Sequence, residues 1–446
     1  MKSLPWLSAC AIAASLAGGP VGAQPAASPG GPQAALPPIP GPSAGSVTLR
    51  AALDAAWQRA VAARESDGQR RRAEADRTAA ASLWAAPPSL EVSHRNDRLQ
   101  RNAGRRETEI GVAVPLWLPG QRAARSSTAE AAAALAGAAE QVARLHLAGE
   151  LREAAWQLAA LQAEAGQADS QAQALVQLEG DVERRVRAGD LARADALAAR
   201  AEQLSASALQ SDVRQRLQAA RARWTLLTGL TAAPDLAAAA NVEAAPGTAQ
   251  SAVQSAVQSA VQSTAQSTAR PHPEQQLASL SVELARKRVD QMRLSRRDAP
   301  ELTVGLRQDV PGGRAEAAQG SLVVGLRLPF GTDDRNRPLE AAALAELDVA
   351  QAHEQRLRER LASNMATARD AQRSTEAQLE AETARARLLR ERASLIEKSF
   401  RAGETPLPDL LRALAAAAQA DSAAARQNAA LGLARAHRQQ TLGLLP

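Results

Sequence analysis

The chain has 446 residues and a formal net charge of +6, with 45% hydrophobic residues but only 2% aromatic ones. Such a shortage of large aromatic side chains argues against a conventional globular core and favours long, alanine-rich helices packed side by side. Arginines alternate with glutamates and aspartates along the helical segments, so the positive charge predicts solvated helix faces and excludes a concentrated nucleic-acid-binding surface.

The first residues predict an export signal. Lys2 precedes a mostly apolar run from Leu4 to Gly18, and small residues end at Ala23, so residues 1–23 read as a signal peptide cleaved after Ala23. Cys10 lies in a short lipoprotein-like box, which leaves lipidation as the alternative. Cys10 is the only cysteine. The processed chain is therefore expected to form no disulfide and to offer no thiolate ligand.

The next segments predict a linker, a helix and a β-hairpin. Residues 24–46 are rich in proline and glycine and indicate an extended linker. Apolar residues then recur at helical spacing from Thr48, a suitable N-cap, to about Trp84. Alternating apolar and polar residues predict two strands, over residues 89–97 and 106–118.

A very long helix follows the hairpin. It is predicted from Gln121 to Arg187, and Gly189 in the segment from Arg187 to Asp190 ends it as a left-handed cap. Asp190 is expected to start the next helix, which runs to about Thr228. Together these elements define a first repeat over residues 47–231.

A low-complexity insert, residues 232–270, separates this repeat from a second. It contains a Ser-Ala-Val-Gln repeat that begins at Ser251. The second repeat covers residues 271–446. It predicts a helix from Glu274 to Arg297, strands over residues 301–309 and 320–330, a long helix to Phe400, and a last helix from Pro408 to Gln440.

Corresponding motifs in the two repeats are separated by the same number of residues. Residues 186–190 recur as residues 400–404, and residues 111–115 recur as residues 325–329, so both motifs are 214 positions apart. A constant distance between strand end and turn is what a rigid helical strut requires, because one added residue would displace its tip.

Four strands per chain, each with one apolar face, predict contact with lipid in an exported protein. Four strands cannot close a barrel, and an open edge cannot lie in lipid, so several chains are required. Three chains would supply twelve strands, an even number within the usual range. Trp84, Trp117 and Phe330 flank the strands where interfacial aromatic residues are expected. The alternative is a soluble β-layer whose apolar face is buried.

The order of helix, hairpin, very long helix, Arg-Ala-Gly turn and helix, given twice after a signal peptide, resembles the TolC family of outer-membrane efflux proteins. The resemblance covers Thr48 to Gly443 apart from the insert, and Pro115-Leu116-Trp117 with Gly120-Gln121-Arg122 resembles its metal- and drug-exporting members. It implies a mainly α fold with a small β part: a long α-helical barrel above a twelve-stranded β-barrel that three chains share in the outer membrane.

The resemblance also implies partners: two further copies of the chain in a homotrimer, a periplasmic adaptor (a membrane-fusion protein), and an inner-membrane pump of the resistance-nodulation-division or ATP-driven class. The adaptor would dock on the two helix turns, at Arg187, Ala188, Gly189, Asp190, Arg401, Ala402, Gly403 and Glu404. Charged residues near these turns, Arg193, Asp195 and Asp409, are candidates for a gate.

The sequence contains no motif specific to a catalytic or metal site. The five histidines do not pair at helical spacing, and no phosphate-binding, dinucleotide or nucleophile motif occurs. We therefore expect no catalytic residue, no resident metal and no cofactor, and a metal cargo rests on the resemblance alone.

Three different functions remain open. A protein-secretion duct of the same family would have the same sequence features. A periplasmic adaptor would carry one helical hairpin in a β-rich body, and a soluble coiled-coil scaffold would leave the alternating strands unexplained.

Overall fold

A computed structural model describes residues 47–99, 104–236, 271–312 and 317–446. The predicted signal peptide, the linker and residues 237–270 of the insert lie outside the described residues. The helices and strands, in chain order, are α1 (Leu49–Arg59), α2 (Val61–Ala80), β1 (Ser89–Asn96), β2 (Arg106–Pro115), α3 (Gln121–Ala188), α4 (Arg193–Thr228), α5 (Pro273–Leu294), β3 (Glu301–Val310), β4 (Gln319–Arg327), α6 (Asp333–Arg401) and α7 (Leu407–Thr441).

The first predicted helix is two helices. The Thr48 hydroxyl accepts a hydrogen bond from the Ala51 amide at 3.2 Å, as an N-cap should. At Ala60, however, the backbone is extended, with φ −67° and ψ 137°, so the expectation of one helix to Trp84 is wrong. No glycine or proline lies there. The break follows from packing, because α1 contacts both α3 and α4 whereas α2 packs on α3.

The remaining predicted boundaries agree within three residues. The strands predicted to end at residues 118 and 330 end at Pro115 and Arg327. Pro115 and Pro329 have no N–H with which to continue the ladder. Residues 232–236, which the composition places in the insert, belong to the fold: Asp235 N donates to the Val47 carbonyl at 2.9 Å, and Trp224 Nε1 donates to the Ala232 carbonyl at 3.0 Å.

The two repeats correspond in register. α4 begins at Arg193 and α7 at Leu407, and β1 ends at Asn96 and β3 at Val310, so each pair is 214 residues apart. α3 contains 68 residues and α6 contains 69. At about 1.5 Å per residue, each is a strut of about 100 Å.

The strands form one antiparallel sheet in the order β1-β2-β3-β4. The two hairpins meet where β2 pairs with β3, and there Gly111 lies opposite Gly305. A Cβ on Gly305 would lie 2.9 Å from Gly111 Cα, so the seam between the repeats depends on the absence of side chains at this crossing. β1 and β4 are the edges of the sheet in one chain.

Helix packing joins the repeats as well. The main core lies between α1, α3 and α4 and includes Leu151, Leu158, Val213 and Trp224. α3 also packs against α5 and α7 of the second repeat. Trp156 of α3 lies directly on Gly432 of α7, where an added Cβ would be 2.2 Å from the ring atom Cη2.

The last residues of the chain and the start of α5 pack near the middle of α3. Arg152 is 1% exposed and donates to Gln440 Oε1 at 2.6 Å and to the Leu444 carbonyl at 2.8 Å. Gln440 in turn donates to the Leu145 carbonyl at 2.7 Å. His272 caps α5 through Nδ1, which accepts from the Glu274 amide at 3.2 Å. These contacts form a belt that holds the last residues and the start of α5 against α3.

The contact between Trp156 and Gly432 makes a stability prediction. We expect Gly432→Ala to destabilise the protein by about 1–3 kcal/mol, because the methyl group overlaps an indole that packed helices hold in place. Thermal unfolding of the purified protein measures the effect. Gly166→Ala is the control: nothing lies within 4 Å of its Cβ position, and alanine is the better helix former. Equal shifts in both variants would contradict the close-packing argument.

His272 makes a pH prediction. Burial lowers the pKa of His272 below its ordinary value of 6.5, against the opposing charge of Glu274 and a hydrogen bond with Gln440. The folded state therefore binds the proton less tightly than the unfolded state, and stability present above about pH 6.5 should be lost on acidification. Protonation also removes the Nδ1 acceptor that caps α5.

We expect His272→Asn, which keeps a capping acceptor, to flatten the fall of the unfolding midpoint with decreasing pH. His146 Nε2, which lies 3.1 Å from Glu274 Oε1, remains in the variant. The exposed His353 is the control, since His353→Asn should keep the full pH dependence. An unchanged slope of the unfolding midpoint against pH in His272→Asn would show that His272 does not cause the pH dependence.

Candidate functional site

The two Arg-Ala-Gly turns have the same geometry. Gly189 has φ +90° and Gly403 has φ +81°, the left-handed conformation that favours glycine. Gly189 N donates to the Val186 carbonyl at 3.1 Å and Asp190 N to the Arg185 carbonyl at 2.9 Å. The second turn repeats both bonds, 214 residues later, at 3.1 and 3.0 Å. These are Schellman caps, in which the turn itself satisfies the last helix carbonyls.

The side chains of the turns point to solvent. All eight predicted docking residues are exposed: Arg187, Ala188, Gly189, Asp190, Arg401, Ala402, Gly403 and Glu404. Since the caps use only backbone atoms, the side chains of the turns are not needed to hold the turns together. Arg187 Nε donates to the Glu183 carbonyl at 3.4 Å and Arg401 pairs with Glu397, each within its own helix, and both side chains remain exposed. Docking at the turns stays a prediction.

A compact cluster holds the two turns side by side. Phe400 is 3% exposed and packs with Leu175, Val182 and Leu410. The guanidinium carbon of Arg185 lies 5.0 Å from the Phe400 ring centre, which is within the range of a cation–π contact. The sequence pattern does not predict this pairing. The one hint in the sequence that Phe400 is important for packing is that it is one of only two phenylalanines.

Two of the predicted gate residues act within the first turns of their own helices. The Asp195 carboxylate accepts from the Ala192 amide at 3.2 Å, so Asp195, and not Asp190, supports the start of α4. Asp409 pairs with Arg412 at 2.7 Å in the first turn of α7. A carboxylate at a helix N-terminus is favourable in itself. Arg193 is exposed. A gating role for these three residues stays a prediction.

The sheet exposes a continuous apolar face. The register aligns Leu90 with Val112, Val304 and Val324, and in the next row Val92 with Ile110, Leu306 and Leu322. These side chains are 44–69% exposed, which is unusual for so many apolar residues on one surface. The alternation of the sequence thus predicts which residues share a face. The alternative, a soluble β-layer whose apolar face is buried, is wrong for the single chain.

The opposite face of the sheet is small or polar. Arg307 pairs there with Glu107 at 3.0 Å, Arg327 with Glu301 at 3.4 Å and Arg105 with Asp309 at 3.4 Å. Such pairs are typical of a wetted surface and contribute little stability each. The sheet is therefore apolar on one side and hydrated on the other.

The predicted aromatic residues lie where the sheet joins the helices. Trp84 is 37% exposed and Phe330 is 84% exposed. Trp117 is partly buried, because its Nε1 donates to the Ser82 carbonyl at 3.1 Å and Arg125 lies 5.7 Å from its ring centre. The structure thus leaves two of the three aromatic residues available to a surrounding medium.

An arginine clamp fixes the same junction. Arg335, in the first turn of α6, donates two hydrogen bonds to Asp298, at 2.8 and 2.9 Å. These bonds lower the pKa of the Asp298 carboxyl and raise the pKa of Arg335. The two hydrogen bonds join the segment before β3 to the start of α6.

Two properties of the described residues bear on function. In residues 47–99, 104–236, 271–312 and 317–446, no three histidine, cysteine, aspartate or glutamate side chains are placed to hold a metal ion. Within the same ranges, no helix is long and apolar enough to cross a membrane.

Comparison with known proteins identifies the fold. No protein-family model matches the chain, and no curated protein matches it. Among solved structures, VceC, an outer membrane protein of Vibrio cholerae, is 16% identical with a TM-score of 0.66, over 89% of this chain and 96% of its own.

Two further solved structures agree. CusC, a protein described as forming a transmembrane channel, is 15% identical with a TM-score of 0.69, over 89% of this chain and 92% of its own. The MtrE outer membrane channel of Neisseria gonorrhoeae is 15% identical with a TM-score of 0.63, over 89% and 88%. At these identities the likeness establishes the fold. The predicted fold class, long helices with a small four-stranded part per chain, is confirmed.

Proposed function

We propose that this chain is the outer-membrane duct of a tripartite export system, a homotrimer that conducts its cargo passively and carries out no chemistry. The observation that carries the proposal is the exposed apolar face of the sheet, placed at the end of struts about 100 Å long. The fold shared with outer membrane channels supports it.

The apolar face supports lipid contact. A continuous exposed apolar surface of this kind marks a membrane or protein interface, and a flat sheet with two open edges would aggregate in water. In lipid, unpaired backbone groups on β1 and β4 would be costly, so the edges must pair with neighbouring chains. Three copies give a closed barrel of twelve strands, with the hydrated face turned to the lumen.

The helices also present surfaces that suit neighbouring chains. α6 buries far fewer residues than α3, although the two helices have nearly equal length. Several leucines along α4 and α6 are more than one-third exposed: Leu197, Leu204, Leu209, Leu226, Leu339, Leu344, Leu388 and Leu395. Burial of these side chains between copies would close the helices into a tube that continues the barrel.

The turns support docking of a periplasmic adaptor, which would connect the duct to an inner-membrane pump of the resistance-nodulation-division or ATP-driven class. Their exposed side chains lie at the ends of the struts, remote from the sheet. Energy for export would come from the pump. The cargo is a drug, another small molecule or a metal cation, and a protein-secretion duct is the second candidate.

A periplasmic adaptor and a soluble scaffold fit the structure less well than a duct. An adaptor would have one helical hairpin in a β-rich body, whereas this chain has two turn-bearing struts and one four-stranded sheet. A soluble coiled-coil scaffold would gain nothing from an exposed apolar sheet.

A charge in the apolar face tests membrane insertion. We expect Val324→Lys to reduce the amount of trimer in the outer-membrane fraction, because a lysine near the middle of the lipid face costs about 2–4 kcal/mol per chain. Ser321→Lys is the matched control, since Ser321 is exposed on the opposite face of β4. Fractionation with native mass measurement is the readout. Wild-type protein found as a soluble monomer would refute the duct.

Cross-linking tests the docking turns. A photo-reactive residue in place of Ala188 is expected to form an adduct with a periplasmic adaptor, identified by mass spectrometry of the cross-linked product. The same residue in place of Glu153, exposed in the middle part of α3, is the control and should give no such adduct. Absence of an adaptor adduct at Ala188 and at Ala402, in cells that export cargo, would overturn docking at the turns.

A further inference from the structure

The apolar face ends along a single line across the sheet. Residues paired across neighbouring strands form rows that run across the sheet. Three successive rows on this face are apolar, and the last of them contains Val92, Ile110, Leu306 and Leu322. The next row towards the hairpin tips contains His94, Thr108, Gln308 and Gly320, and its side chains are polar or absent. A boundary shared by all four strands marks where the medium around the sheet changes from hydrocarbon to polar groups.

One charged residue lies on this face. Along β1, β2, β3 and β4, every acidic residue belongs to the opposite, hydrated face, as the alternation of the register requires. The acids are Glu91, Glu107, Glu109, Glu301 and Asp309. Arg106 is the only charged residue of the four strands on the apolar side. It is exposed, it lies in the second row beyond the apolar boundary, and its register partners are Asn96 and Val310.

Several hydrogen-bonding side chains lie near Arg106 on the same face of the sheet. His94 Nδ1 lies 2.9 Å from Thr108 Oγ1 in the adjacent row, and Gln308 is the register partner of Thr108. Arg106 forms no ion pair with any described residue. Arg105 and Arg307, by contrast, pair with acids on the hydrated face. The guanidinium of Arg106 thus keeps its planar set of donors for a group outside the chain.

We propose that Arg106, with Asn96, His94, Thr108 and Gln308, binds the phosphate of a lipid headgroup in the outer leaflet. The inference rests on the proposed function, which places the apolar face in lipid and the hairpin tips at the outer surface. A phosphate oxygen pair matches the guanidinium fork, and such charge-assisted pairs are strong and directional. A cation just outside a hydrocarbon band, with no acid on its own face, is complementary to an anionic headgroup layer.

The contact has a consequence for the position of the sheet. The apolar band opposes movement of the sheet out of the bilayer, and the contact of Arg106 with the headgroup opposes movement further into it. Each copy in a trimer supplies one such arginine, so the three contacts fix the depth and orientation of the barrel.

The test compares two variants of equal charge. Arg106→Gln removes the cation from the lipid face, and Arg95→Gln removes one from the hydrated face of β1; both residues are exposed. Purified trimers are titrated with bis-phosphorylated lipid A in detergent, and bound lipid is counted by native mass spectrometry. We expect binding about fivefold weaker in Arg106→Gln, the effect of one arginine near an anionic surface, and no change in Arg95→Gln.

Two further binding experiments distinguish a lipid phosphate from free inorganic phosphate. Dephosphorylated lipid A should bind wild-type protein and Arg106→Gln equally weakly, and inorganic phosphate should not displace the intact lipid. Equal losses in the two variants, or no loss in Arg106→Gln, would overturn the proposal. So would displacement by inorganic phosphate. An intact trimer in the outer membrane that fails these tests refutes the headgroup site alone, whereas a soluble monomer refutes the duct.

Discussion

The structure depends on one constraint: a four-stranded sheet with an exposed apolar face and two open edges must satisfy both its side chains and its backbone outside the single chain. Water satisfies the backbone edges and not the apolar face, whereas lipid satisfies the face and not the edges. Pairing of β1 and β4 with neighbouring copies in lipid, as we propose, would meet both demands. The exposed leucines of α4 and α6 pose the same requirement for the helices.

Equal strut length is the second requirement. In a closed assembly the sheets must lie at one depth and the turns at one level, so α3 and α6 must agree in length, as they do to one residue. Contacts between the repeats maintain this alignment at three levels: the β2–β3 seam at Gly111 and Gly305, the belt around Arg152, and the Phe400 cluster between the turns. These contacts join the two repeats into one packed unit.

The two faces of the sheet also differ in charge near the hairpin tips. Because acids occur only on the hydrated face of the strands, the two faces differ in charge as well as in polarity. Arg106, the only charged residue of the four strands on the apolar side, would give the hydrophobic band a defined outer edge. Position in the membrane would then be set by a few side chains.

Local rules are enough for much of the fold and for part of the candidate site. Strand alternation predicts the shared face of Val92, Ile110, Leu306 and Leu322, and turn chemistry predicts the left-handed glycines, because both are set by residues adjacent in the chain. The Asp195 carboxylate, three residues after Ala192, also fits a local capping rule. The break at Ala60 does not follow from such rules. The contacts of Arg152 with the last residues and of Arg185 with Phe400 join groups hundreds of positions apart. Only tertiary packing brings such groups together, since no local periodicity encodes which long helix lies beside which.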